Sequence, residues 1–179
     1  LQKAIRSLEI KRFGLMIDLP DDTAHVAEFL ENKLTRPNSL RLFYIAAALR
    51  CGWTLEKINR LTWIDPWFLH QIKTLVEAEE ELKNAAPTDE LLAEAKRLGF
   101  SDRYLGDLWN LTEDEVRARR YAAGIVPVYK LVDTCAAEFE AYTPYYYSTY
   151  GEENETRPST KRKVMILGGG PNRIGQGIE

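Results

Sequence analysis

Two cysteines, two histidines and two methionines are all that the 179 residues contain of the side chains that most often carry thiol or metal chemistry. Cys51 and Cys135 form no CxxC pair, and both read as buried free thiols in a reducing cytosol. His25 and His70 each fall inside a helical pattern with no second ligand at metal spacing. No apolar run reaches the ~20 residues that span a bilayer, and no leader-like segment opens the chain. A cytoplasmic protein without a membrane partner is the expectation. An excess of one charge is also missing. The 24 basic and 27 acidic residues are mixed along the chain and leave a formal charge of −3, which gives no field for nucleic acid or anionic lipid.

What is present is 45% hydrophobic residues, enough for one or two compact cores, arranged with helical periodicity from Pro20 to Gly124. "DDTAHVAEFLENKL" spaces Val26, Phe29, Leu30 and Leu34 along one face and places acidic residues at the start, where they suit the helix dipole. "NSLRLFYIAAALRCG" offers Asn38 or Ser39 as N-cap and Gly52 as the left-handed residue that ends the helix. Thr54 caps the next helix. Asp65 caps a longer one whose first position is Pro66, where a missing N–H costs nothing. Beyond "NAAPT", one helix closes at Gly99, a second is capped by Ser101, and a third carries the capping box Thr112 to Glu115 and closes at Gly124.

These helices repeat. An offset of 47 (99 − 52) lays Gly52 on Gly99, Trp53 on Phe100, Thr54 on Ser101, Ile58 on Leu105, Leu61 on Leu108, Ile64 on Leu111 and Asp65 on Thr112. A unit of helix, short helix and helix is expected twice. After Ile125 the helical period fades. Tyr142, Tyr145, Tyr146, Tyr147 and Tyr150 sit among prolines and β-branched residues, as in an extended strap packed over a core. "GEENETRPSTKRK" reads as a linker, and Val164 to Leu167 as a short strand leading into "GGGPNRIGQGIE".

That glycine turn is the first candidate for chemistry, because glycines after a strand let N–H groups approach an anion. Its spacing fails both common phosphate patterns: Arg173 stands where a dinucleotide fingerprint from Gly168 needs glycine, and Gln176 where a P-loop from Gly170 needs lysine. The carboxylates Glu77, Glu79, Glu80 and Glu81 read as a solvated helix face. No nucleophile stands beside a base, so no catalytic residue is assigned. The paired short helices lack the basic recognition helix that DNA binding requires. In contrast, Trp53, Trp63, Trp67, Phe68 and Trp109 crowd the helix junctions, and large aromatics both fill cores and anchor interfaces. Trp53, Trp63 and Trp67 are the candidate interface residues.

Three stretches, "SLRLFYIAAALRCGWTLEKINRLTWIDPWFLHQI", "PVYKLVDTCAAEFEAYTPYYYSTY" and "KVMILGGGPNRIGQGIE", together resemble the middle of the large chain of carbamoyl-phosphate synthetases, over essentially the whole sequence. The resemblance implies an all-α oligomerisation domain lying between two ATP-grasp units that convert bicarbonate, glutamine-derived ammonia and two ATP into carbamoyl phosphate. Residues 1–12 would then be the end of the preceding unit or a connector, 13–160 form the helical domain with its extended exit, and 161–179 begin an α/β pre-ATP-grasp domain. ATP and Mg or Mn would bind the flanking units, leaving this segment with no cofactor and no activity of its own. Partners would be those units, a glutaminase small subunit and further copies of the chain. Gly175, Gln176 and Gly177 would line the path of a carbamate intermediate. Leu1, Ile5 and Leu8 share a helical face with no cap before them, and the sequence stops in a glycine turn, which fits a segment of a longer polypeptide. The competing reading is an independent helical protein- or DNA-binding module fused to a nucleotide-binding domain.

Overall fold

A computed structural model describes residues 1–8, 10–136, 138–140 and 145–165, with eight helices and two short strands among them. The α-helices are α1 (Gln2–Arg6), α2 (Thr23–Thr35), α3 (Arg41–Arg50), α4 (Leu55–Thr62), α5 (Pro66–Asn84), α6 (Asp89–Arg97), α7 (Asp102–Trp109) and α8 (Glu113–Ala122). Strands β1 (Val128–Leu131) and β2 (Tyr146–Thr149) pair as a two-stranded sheet. The chain divides into two compact units. One holds residues 1–128 and 148–152, with all eight helices; the other holds 129–147 and 153–179.

In the helical unit α3, α4 and α5 are followed by α6, α7 and α8, and the two triplets share their connecting turns at the offset of 47. Helix α3 ends in a Schellman turn in which the Gly52 N–H donates to Leu49 O at 2.9 Å and the Trp53 N–H to Ala48 O at 3.0 Å. Helix α6 ends identically, Gly99 N–H to Lys96 O and Phe100 N–H to Ala95 O, both at 3.0 Å. Gly52 and Gly99 have φ of 79° and 89°, which glycine adopts without a Cβ penalty. Thr54 and Ser101 then accept from the N–H three residues on and start α4 and α7. Both short helices finish on a left-handed residue, Trp63 at φ 57° and Asn110 at φ 55°. Asp65 and Thr112 cap α5 and α8, the latter through the expected capping box. The cores coincide too: Ile45 with Leu92, Ile58 with Leu105 and Leu69 with Val116 are all fully buried.

The triplets differ where they close. The Asn59 side chain donates to Ile64 O at 2.8 Å, whereas its counterpart Gly106 lies so near Leu111 that a Cβ would come within 2.5 Å of the Leu111 carbonyl oxygen. Helix α1 packs on the second triplet: Gln2 Nε2 donates to Leu98 O and Arg6 to Gly99 O, satisfying carbonyls left over at the end of α6.

Several local expectations change. Leu40, not Asn38 or Ser39, precedes α3 as N-cap; Asn38 instead bridges the α2–α3 turn, donating to Lys33 O and Arg36 O and accepting from the Leu40 N–H. No acidic residue lies in the first turn of α2, because Asp21 and Asp22 fall before it. Cys51 is exposed and Cys135 half-buried, since Cys51 occupies the surface-facing end of α3. In the smaller unit, Tyr145, Tyr146 and Tyr147 are exposed and not packed down; besides its pairing with β2, β1 is held by the polar segment that follows β2. Glu155 accepts from the Leu131 N–H at 2.7 Å, its own N–H donates to Tyr129 O at 2.9 Å, and Lys130 pairs with Glu153 and Glu155. Val164 and Met165, the first half of the expected C-terminal strand, are exposed and belong to no strand. Tyr142, Ile166, Leu167 and the whole glycine turn from Gly168, with Gly175, Gln176 and Gly177, lie outside the described residues.

Candidate assembly surface

The structure separates the junction aromatics into two groups. Trp109 is tied inward by an Nε1 hydrogen bond to Leu82 O at 2.8 Å. Trp53 packs partly against the core, with the Lys57 ammonium 3.4 Å from its ring centroid; a groove of about 380 Å³ runs beside it, bordered by Leu49, Thr54, Lys73 and Val76. Trp63, Trp67 and Phe68 face solvent at 90%, 62% and 57% exposure. Phe68 is the addition to the expected set, and it meets Trp67 edge to face with centroids 4.9 Å apart.

The backbone under these three rings is held firmly. Asp65 Oδ1 accepts from the Trp67 N–H at 2.8 Å, and Pro66 fixes φ at the first position of α5. The Trp63 N–H donates to Asn59 O at 2.7 Å, closing α4. Thr62 Oγ1 donates to Ile58 O and accepts from the Ile64 N–H. From α3, the Arg41 guanidinium reaches Leu34 O at 2.8 Å and Thr62 O at 3.1 Å, so α2, α3 and the α4–α5 junction share one donor group. Ile64 and Leu69 turn inward on either side. A rigid platform that displays large apolar side chains lowers the entropy lost on docking, and three such rings exceed the single exposed hydrophobic residues that need no explanation.

Two buried ionic clusters tie the helices of this unit together. Glu79, expected on a solvated face, is 2% exposed; its carboxylate bonds Arg50 at 2.7 Å and Lys83 at 2.8 Å. Burial pushes its pKa up, but Lys83 and Arg50 more than offset that and hold it below the ordinary carboxylate value. The same burial, with Glu79 alongside, pushes the Tyr104 hydroxyl far up, so it stays protonated. In the second triplet Asp102 bonds Lys96 at 2.6 Å and Arg120 at 3.1 Å, joining α6, α7 and α8. The rings of Tyr150 and Tyr121 lie near these cations. Glu79 and Asp102 are both taken up by lysine and arginine, and no group of three or more His, Cys, Asp or Glu side chains suited to a metal occurs among the described residues. His25 bonds Asp22 at the surface and His70 is exposed. No helix among the described residues is long and apolar enough to cross a membrane.

Comparison with known proteins agrees with a scaffold of this kind. The family described as the carbamoyl-phosphate synthetase large chain, oligomerisation domain, matches residues 1–124. The sequence is 56% identical to a carbamoyl phosphate synthase large chain from Archaeoglobus fulgidus, 53% to one from a Synechocystis species and 51% to one from Thermotoga neapolitana. Those alignments take in 100%, 99% and 100% of this chain and 17%, 17% and 16% of the relatives. The chain thus spans about one sixth of the length of the curated relatives it matches.

Proposed function

Because the chain belongs to the oligomerisation-domain family of the carbamoyl-phosphate synthetase large chain, we propose that it is the structural and assembly domain of such a large chain. In that setting it links two ATP-grasp units, which make carbamoyl phosphate in the cytoplasm from bicarbonate, glutamine-derived ammonia and two ATP for arginine and pyrimidine synthesis. ATP, its metal ions and a glutaminase small subunit engage the rest of the enzyme. The helical segment supplies no catalytic group and works by holding other parts in place.

The observation that carries this reading is the outward display of Trp63, Trp67 and Phe68 on a junction fixed by Asp65, Thr62 and Arg41. Desolvated aromatic anchors dominate the energetics of protein contacts, and here they stand at the junction of α4 and α5 in a helical unit whose Glu79 and Asp102 are committed to buried ion pairs. The test is ATP hydrolysis by the isolated 179-residue chain. No bicarbonate-dependent turnover above background is expected, whereas bicarbonate-dependent hydrolysis by this segment would refute the proposal.

A further inference from the structure

The repeated triplet contains its own control for the exposed aromatics. Trp63 and Asn110 occupy the same left-handed position at the end of a short helix, at φ 57° and 55°, each N–H returning to the residue four before it. The caps Asp65 and Thr112 follow at the same spacing. In the first triplet the surface positions are Trp63, Trp67 and Phe68; in the second they are Asn110, Asp114 and Glu115. Those polar residues serve the local fold. Glu115 completes the capping box of α8 and Asp114 pairs with Arg117 at 2.8 Å, while asparagine tolerates the left-handed region. The architecture therefore accepts polar side chains at all three places. Tryptophan at Trp63 adds local backbone strain of about 1 kcal/mol and brings little packing in return, since the ring is 90% exposed. The rings are there for something outside the unit.

The size of the patch argues for what covers it. Three aromatic side chains at 150–250 Å² each amount to roughly 500 Å², below the ~800 Å² per partner of a standard interface between free proteins. A tethered partner needs less, because the linkage holds it at an effective concentration on the order of millimolar. The relatives are about six times longer than this chain, so ample polypeptide exists to supply such a partner. We propose that Trp63, Trp67 and Phe68 form the seat for an apolar surface of a neighbouring domain of the same polypeptide, and not for a second copy of the helical unit. This rests on the reading of the chain as one domain of a large synthetase chain.

Hydroxyl-radical footprinting of the full-length protein, native against urea-unfolded, tests it together with the mass of a Trp67→Asp/Phe68→Glu variant. Those substitutions install residues that the second triplet already carries. The expected result is protection of Trp63, Trp67 and Phe68 on the order of tenfold, as for side chains in a desolvated interface centre, with the variant keeping the wild-type mass in sedimentation. Rings that react as freely in the native as in the unfolded protein overturn the proposal. So does protection accompanied by a fall of the variant to a smaller assembly, which would identify a second copy as the occupant. Failure of the connector reading itself would appear elsewhere, as ATP turnover by the isolated chain.

Discussion

Replacing Asp102 by asparagine removes the one anion between two buried cations. The Lys96, Asp102 and Arg120 side chains are 6%, 10% and 6% exposed, and the carboxylate contacts them at 2.6 and 3.1 Å. With the charge gone, the two buried cations face no anion, and what they retain is neutral: Lys96 its bond to Phe100 O, Arg120 its bond to Ile125 O, and the nearby tyrosine rings. Breaking a buried pair from one side costs about 3–5 kcal/mol, or roughly 10 °C in Tm for a chain of this size. The control is Asp114→Asn, whose surface pair with Arg117 is worth at most about 0.5 kcal/mol. At the offset of 47, Lys96 and Asp102 correspond to Leu49 and Leu55. Removing all three charges together, as in Lys96→Leu/Asp102→Leu/Arg120→Met, leaves no buried ion without a partner and is therefore expected to lie closer to wild type than Asp102→Asn alone. pH gives an independent check. Burial pushes the Asp102 carboxyl up, but Lys96 and then Arg120 more than offset this, so its folded pKa lies below the ordinary value. A depressed carboxylate stabilises fully above its unfolded pKa, about 3.9, and the contribution fades as pH falls through the folded value. The wild-type and Asp102→Asn melting curves, followed by circular dichroism, should converge in acid. A variant that melts with wild type at pH 7, or a gap that persists in acid, would refute the reasoning.

Two glycines lie at close approaches. Alanine at Gly14 would put Cβ 2.3–2.7 Å from ring atoms of buried Tyr104, and overpacking of that kind costs about 1–3 kcal/mol in urea unfolding. Gly106→Ala would meet the Leu111 backbone carbonyl at 2.5 Å and should destabilise more than Gly52→Ala, which meets no atom within 4 Å and bears only its φ of 79°, a penalty of about 1 kcal/mol.

Much of this fold is legible because its punctuation is local. Thr54, Asp65, Ser101 and Thr112 act through bonds to N–H groups two or three residues on, and Gly52, Gly99 and Gly124 through their own φ, so the helix ends and the repeat follow from neighbouring residues. What was hidden depends on distant partners. Glu79 looks like its neighbours Glu77, Glu80 and Glu81 until Arg50, 29 positions earlier, is brought against it. Trp109 turns inward because Leu82 O, 27 residues away, accepts its N–H; nothing local distinguishes it from Trp63. A signal for Trp63 did exist, since the offset that aligns the caps also lays Trp63, Trp67 and Phe68 on Asn110, Asp114 and Glu115. The start of α3 departs from the capping pattern because Asn38, a good capping residue, spends its side chain on the preceding turn.

The most direct test of a surface built for contact with the rest of the polypeptide is the sign of the Trp63→Asn effect in two settings. In the isolated chain the substitution relieves about 1 kcal/mol of left-handed strain and gives up the tenth of the ring that is hidden, roughly 0.5 kcal/mol, a small net gain in denaturant midpoint. In the full-length protein, with the ring covered, it should destabilise the helical unit by about 3 kcal/mol. A reversal of sign between the two is the predicted result; the same sign in both would contradict it.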